Sequence, residues 1–335
     1  MFGAATPLCK PLLRELSPNA LAGLLYLGAA AALAPWALRQ GFPSVAQSGV
    51  NLARLAGVVI FGGVLAPVML LAALAHAPAG SVALWLNLEV VATALLALAF
   101  FREHLTARGA LAIGIVCAAS ALLALPSHAG GASPAALLLV TAACLCWALD
   151  NNWTARIDAF TPAQSSFAKG LVAGGVNLAI GLAGGGVITP VTAVAALGLG
   201  AASYGLSLVL LVSAAQQLGA ARSQLAFATA SFWGIALAWL LLGEPVLPMQ
   251  LGAGAGMALA LVLLHRESHG HWHRHDSVTH RHAHRHDDGH HTHPHPEGLP
   301  ERSHSHEHHH AAQEHVHPHR PDLHHRHPHG GGRRR

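Results

Sequence analysis

Ten long apolar runs dominate the chain, at residues 1–15, 19–38, 52–75, 79–101, 107–125, 135–155, 162–183, 192–215, 219–242 and 247–264. Short breakers part them, among them Ser17-Pro18, Ala77-Pro78, the 102–108 stretch, Thr161-Pro162 and Gly243-Glu244-Pro245. Most runs approach the roughly 20 residues a helix needs to cross a bilayer core. Because lipid offers backbone groups no partner, segments apolar on every side are expected to be membrane-spanning helices. Charge follows the same division. Residues 1–264 hold 9 Lys+Arg and 6 Asp+Glu, whereas residues 265–335 hold 10 and 9 together with 25 of the 28 histidines.

The first run, about 22 Å long as a helix, falls short of a ~30 Å hydrocarbon core, so helix 1 is read as thinly inserted or truncated. A secretory signal over residues 1–38 is the competing reading of this end. Arg39, Arg54, Arg102, Arg108, Arg156 and Arg222 occupy alternate connections, while the opposite set holds only Arg14. The positive-inside rule then places both termini in the cytoplasm, as for a bacterial inner-membrane protein. Cys9, Cys117, Cys144 and Cys146 lie in apolar runs without a CxxC pair, and are expected to be buried and inert. The scattered basic residues argue against nucleic-acid binding. Residues 1–264 hold no GxSxG, HExxH or Walker motif, so no enzymatic activity is expected.

Sliding the chain along itself until Gly57 falls on Gly198 also brings Leu65 onto Leu206 and Glu103 onto Glu244, without a gap. At nearly the same offset Leu16-Ser17-Pro18 meets Phe160-Thr161-Pro162. Two five-helix units follow, and an odd helix number turns the second upside down relative to the first. The expected architecture is an all-α polytopic membrane protein of ten helices in two inverted repeats, 1–126 and 133–264, with a disordered cytosolic tail at 265–335.

Residues 86–97 (LNLEVVATALLA), 101–106 (FREHLT) and 241–245 (LLGEP) resemble the EamA-type branch of the drug/metabolite transporter superfamily. The resemblance covers residues 1–264. Asp150-Asn151-Asn152, the 169–174 segment and the His-rich tail are similar to one subgroup of that branch. It implies efflux or exchange of a small metabolite, and it identifies fold better than substrate.

Ionisable groups within a bilayer cost at least about 2.5 to 3.5 kcal/mol on insertion scales and are functional candidates by default. Glu89, Asp150, Asn151, Lys169 and Asn177 qualify, with Lys10 joining them if helix 1 extends upstream. Glu89, Asp150 and Lys169 are expected to meet near the midplane. Lys10 and Lys169 are the only lysines among 19 basic residues. Unlike arginine, lysine can lose its proton when buried, which suits proton coupling or a carboxylated substrate. A permanent ion pair that only fixes packing is the competing reading. Glu103 and Glu244 are expected to accept backbone N–H groups at hairpin ends. Tyr204 and Gln216-Gln217 are read as interhelical contacts. Gly174-Gly175 and Gly252, Gly254 and Gly256 are expected to permit close helix approach.

The tail alternates histidine with other residues, at His271, His273 and His275, at His280, His282, His284 and His286, and at His304, His306 and His308. Neutral imidazole ligates Zn, Ni and Co, and its affinity falls below about pH 6. With few apolar residues the segment is expected to be disordered and to bind ions at weak, interchangeable sites. No cofactor is required. The leading functional reading is a secondary transporter of a small organic metabolite with a metal-responsive tail. The alternatives are a divalent-metal exporter whose tail collects its ion, or a membrane-bound metal sensor or scaffold. Substrate and oligomeric state are not set by the sequence.

Overall fold

The computed structural model describes residues 1–39, 49–101, 107–123, 133–157, 159–218, 223, 226–265, 269–275, 278–284, 304–310 and 313–319. Each of the ten apolar runs contains helix. The elements are α1 (Phe2–Leu12), α2 (Pro18–Arg39), α3 (Gly49–His76), α4 (Ala79–Trp85), α5 (Leu88–Phe101), α6 (Ala107–Leu123), α7 (Pro134–Thr154), α8 (Pro162–Ala183), α9 (Pro190–Ala215), α10 (Ala230–Leu242) and α11 (Pro248–His265). Of these, α2, α3, α7, α8 and α9 are long and apolar enough to cross a membrane. Their outward surface is apolar too: Leu138, Leu171, Ile180 and Val191 are all exposed. Such a surface is unstable against water and suits lipid.

Local chemistry sets the helix starts. Ser17 accepts a hydrogen bond from the Ala20 amide, and Thr161 caps α8 in a capping box with Gln164. A proline follows each cap, where its missing N–H costs nothing. Gly243, at φ 63°, closes α10 in the left-handed conformation that glycine adopts without strain.

The fourth apolar run is not one helix. It breaks at Leu86-Asn87 between α4 and α5, where the Asn87 side chain bonds back to the Leu84 carbonyl. Two other helices change pitch in mid-course. Residues Val58–Leu65 of α3 and Gly200–Leu206 of α9 are π-helical. The offset that lays Gly57 on Gly198 lays the first of these segments on 199–206.

Helices α2 and α8 run closely together. A Cβ at Gly23 would lie 2.5 Å from the Leu178 amide nitrogen, and one at Gly181 2.5 Å from that of Ala20, so only glycine allows this approach. Gly174 belongs to the same seam. The expectation fails at Gly175 and Gly252, which have open space beside them, and at Gly254 and Gly256, which meet side chains at ordinary contact distance. Cys9 and Cys144 are buried, whereas Cys117 is exposed on α6, contrary to the uniform burial expected.

Only four short stretches of the tail are described, each as a strand. Within the compact unit Ser268–Arg320, strands β1 (His269–His275) and β4 (Gln313–His319) pair antiparallel, as do β2 (Val278–His284) and β3 (His304–His310). Composition argued against a core, but a ladder needs only extended backbone, and strict two-residue alternation is the period of a strand.

Candidate functional site

The buried stripe of α7 runs through Ala136, Val140, Ala143, Trp147, Asp150 and Thr154, at alternating spacings of three and four. Asp150 therefore points into the bundle because it shares the face that packs. On α8, Lys169, Ala173 and Asn177 recur at spacings of four on its buried face. Helical periodicity thus brings the two charges together. The Lys169 ammonium donates to Asp150 Oδ2, and the Thr154 hydroxyl donates to Asp150 Oδ1 at 3.0 Å. The next residue extends the cluster: Asn151 Nδ2 donates to Glu89 Oε1 at 2.7 Å. Glu89 lies 6% exposed in the first turn of α5, where the helix dipole favours a carboxylate.

The π-helical turn of α3 backs this cluster. Widening a turn frees carbonyls from the regular ladder, and three side chains from other helices take them up. Tyr26 Oη and Trp147 Nε1 donate to the Gly62 carbonyl at 2.7 and 3.1 Å, while Asn177 Nδ2 donates to those of Gly63 and Val64 at 3.1 and 3.3 Å. Asn177 Oδ1 is buried without a partner. Gly62 is required here, because a Cβ would collide with the Asp150 carboxylate. The double glycine inside an apolar run was the sequence signal for this contact, and Tyr26, Trp147 and Thr154 carried none.

On its other side Glu89 lines a cleft with Phe2, Thr6, Leu86, Phe227 and Ser231. The cleft volume is about 10 Å³, room for a single water. The Phe2 and Phe227 rings meet there with centroids 4.6 Å apart, tilted by 45°. No larger molecule fits this cleft as the helices stand.

Glu89, Asp150, Asn151 and Lys169 are brought together, and Asn177 sits two turns along α8 from Lys169. Asp150 lies four residues from the end of α7 and Lys169 seven into α8. Both charges thus lie in the halves of α7 and α8 nearer the 155–161 connection. Lys10 is elsewhere. Its ammonium caps α3, donating to the Leu74 and Ala77 carbonyls at 2.6 and 2.5 Å. Those orphan carbonyls at a helix end are the acceptors within its reach. Just beyond them, Glu244 accepts from the Ala79 and Gly80 amides at 2.6 and 2.9 Å. The amide-accepting role expected of Glu244 is thus met on α4, not on its own following helix. Lys10 and Glu244 grip the Ala77-Pro78 corner from both sides.

Tyr204 packs between the Phe2 and Tyr26 rings. Glu103, His104, His128 and His286 lie outside the described residues, as do the side chains of Gln216 and Gln217. Among the described residues no three His, Cys, Asp or Glu side chains form a group able to hold a metal ion.

The chain is thus a helical bundle with a buried ionic cluster and an apolar outer surface. Residues 1–125 match the EamA-like transporter family. This EamA-like segment spans α1 to α6 and includes Lys10 and Glu89; Asp150, Asn151, Lys169 and Asn177 lie beyond it. A solved crystal structure, described only as that of a protein, is similar at 15% identity and a TM-score of 0.56, over 78% of this chain and 94% of that one. That likeness shows a shared fold. No curated protein matches the chain. Together with the five long apolar helices, the EamA-like match makes this an integral membrane protein.

Proposed function

We propose that the protein is a secondary transporter of a small organic solute, of the drug/metabolite type, with the Glu89, Asn151, Asp150 and Lys169 cluster as its central polar site. The observation that carries this reading is the Asp150–Lys169 ion pair inside the bundle, with Glu89 joined to it through Asn151. Burying two opposite charges costs more than hydrophobic packing of the same volume. A bundle held only by packing has no need of them, whereas a site that binds and releases a polar solute does. The two π-helical turns, related by the offset of the sequence repeat, support an inverted repeat, and irregular backbone at such positions marks solute pathways in transporters of that design.

In this reading both termini face the cytoplasm, the Lys10 and Glu244 corner closes the outer end, and the solute leaves the cell. The tail is a metal-responsive regulator. Export of Zn, Ni or Co is the second reading, and the described bundle offers it no ligand group.

The test is flux into liposomes carrying the purified full chain, across a panel of amino acids, amines and carboxylates beside Zn, Ni and Co salts, with and without a pH gradient. An organic solute moves, and the chain cut after Leu264 still moves it. Flux of metal alone would replace this reading with the exporter.

A further inference from the structure

Glu89 joins two different surroundings. Toward α7 its carboxylate accepts from Asn151, next in sequence to the Asp150 that pairs with Lys169. On the other side it lines the cleft, where the further polar side chains among the described residues are the hydroxyls of Thr6 on α1 and Ser231 on α10. All three are nearly enclosed, at 6%, 4% and 5% exposed. Phe2, Phe227 and Leu86 make the rest of the lining apolar, and the volume of about 10 Å³ admits one water.

The charges of the cluster do not cancel. Fully ionised, Glu89 and Asp150 bring two negative charges and Lys169 one positive. Among the described residues, the titratable groups within electrostatic reach of Glu89 are Lys169 on α8, Tyr26 on α2 and Cys144 on α7, with Asp150 beside Lys169. Phenol and thiol are neutral at ordinary pH. From α1, α4 and α10 the cleft receives no ionisable side chain. On α6, Arg108 and Cys117 are exposed. Helix α11 meets Val90 through Leu261 and has no titratable residue before His265. Lys169 is held by Asp150, whereas Asn151 offers Glu89 a neutral amide. An uncompensated charge is the costliest group to keep out of water. One proton on Glu89 brings the cluster to neutrality.

We propose that Glu89 carries the coupling ion of transport, a proton exchanged through a single water in the cleft. The proposal deepens the reading of the cluster as a solute site and rests on it. A hydronium in the cleft gives its proton to the Glu89 carboxylate and remains as water; the reverse step returns the proton to that water. Thr6 and Ser231 orient the water between them. Hard divalent cations take about six or more oxygen ligands, and one carboxylate with two hydroxyls falls short of that. Proton and solute then keep separate places, since the cleft has no room for anything larger. Protonation also changes the bond from Asn151 from charge-assisted to neutral, roughly half as strong, and so loosens the tie between Glu89 and the segment that carries Asp150. Lys169, the proton carrier that residue type alone suggests, is committed to Asp150.

Infrared difference spectroscopy of the full chain in liposomes, between about pH 9 and about pH 6, reads the proton directly, because exposed carboxyls are ionised throughout that range. The wild type is prepared with isotope-labelled glutamate or aspartate. Two variants accompany it: Glu89→Gln, which keeps an oxygen for Asn151, and Thr6→Val with Ser231→Ala, which keeps the carboxyl and removes both hydroxyls. In the wild type one protonated-carboxyl band appears on acidification, and the glutamate label moves it while the aspartate label does not. Glu89→Gln lacks the band. The hydroxyl variant keeps it, with hydrogen–deuterium exchange of the acid slowed about tenfold, equivalent to about 1.4 kcal/mol on the barrier. A band that survives Glu89→Gln, or one that answers to sodium at fixed pH and not to pH, overturns the proton site. Unchanged exchange in the hydroxyl variant overturns the cleft as its route. In the same liposomes, flux of an amino acid, amine or carboxylate without the band overturns the proposal and leaves the transport reading standing. The band without flux of any of these solutes overturns the transport reading, and with it the coupling role.

Discussion

Lys169→Met is expected to abolish solute flux while the chain still inserts, and Asp150→Asn to do the same. Each removes one partner of a buried pair and leaves the other uncompensated, a change that costs about 3–5 kcal/mol. In Lys169→Met the stranded carboxylate keeps the neutral Thr154 hydroxyl as a donor and stays packed against Gly62. In Asp150→Asn the ammonium loses its charged acceptor. The double variant Asp150→Asn with Lys169→Met restores neutrality, so its thermal stability returns toward the wild type while its flux does not. Thermal melting in detergent and flux in liposomes, run on all three, separate the two roles. Recovery of both stability and flux in the double variant would make the pair a packing device and move the site elsewhere.

The second large effect is expected at the Ala77-Pro78 corner. Glu244 holds two amides of α4, and Lys10 holds two carbonyls at the end of α3, each reaching in from a segment remote in sequence. Hydrogen bonds to charged groups contribute about 1.5–3 kcal/mol each where shielded. Glu244→Gln retains one acceptor and loses the charge at the α4 N-terminus. The expected result is a lower melting temperature, and faster labelling of a cysteine placed at Ser81 by a membrane-impermeant thiol reagent added outside. Unchanged melting and labelling would show that the corner does not fasten the bundle.

Much of this was legible in the sequence because membrane helices announce themselves by length and by their breakers. Ser17-Pro18 and Thr161-Pro162 marked helix starts, and the scarcity of charge singled out Asp150, Lys169 and Glu89. Their similar depth along the helices suggested that the three would meet, but not which carboxylate Lys169 pairs with. The break at Leu86-Asn87 was not legible, since no proline or glycine marks it anywhere in residues 82–101. Nor were the π-helical turns, whose cause is tertiary: Tyr26, Trp147 and Asn177 reward the freed carbonyls from three other segments. Lys10 was misplaced because residue type sets its charge but only the fold supplies its acceptors. In the tail, composition carried no sign of the pairing of β1 with β4.

The central claim is that the polar cluster is a solute site reached from one side of the membrane at a time. It is tested most directly by placing a cysteine at Asn177, beside the cluster, in a chain whose four native cysteines are replaced, and labelling it with an impermeant reagent in right-side-out and inside-out vesicles. The account predicts labelling from one face in the resting protein and a shift toward the other face when a transported solute is added. A cysteine that reacts from neither face under any condition, beside an unimpaired flux, would contradict it.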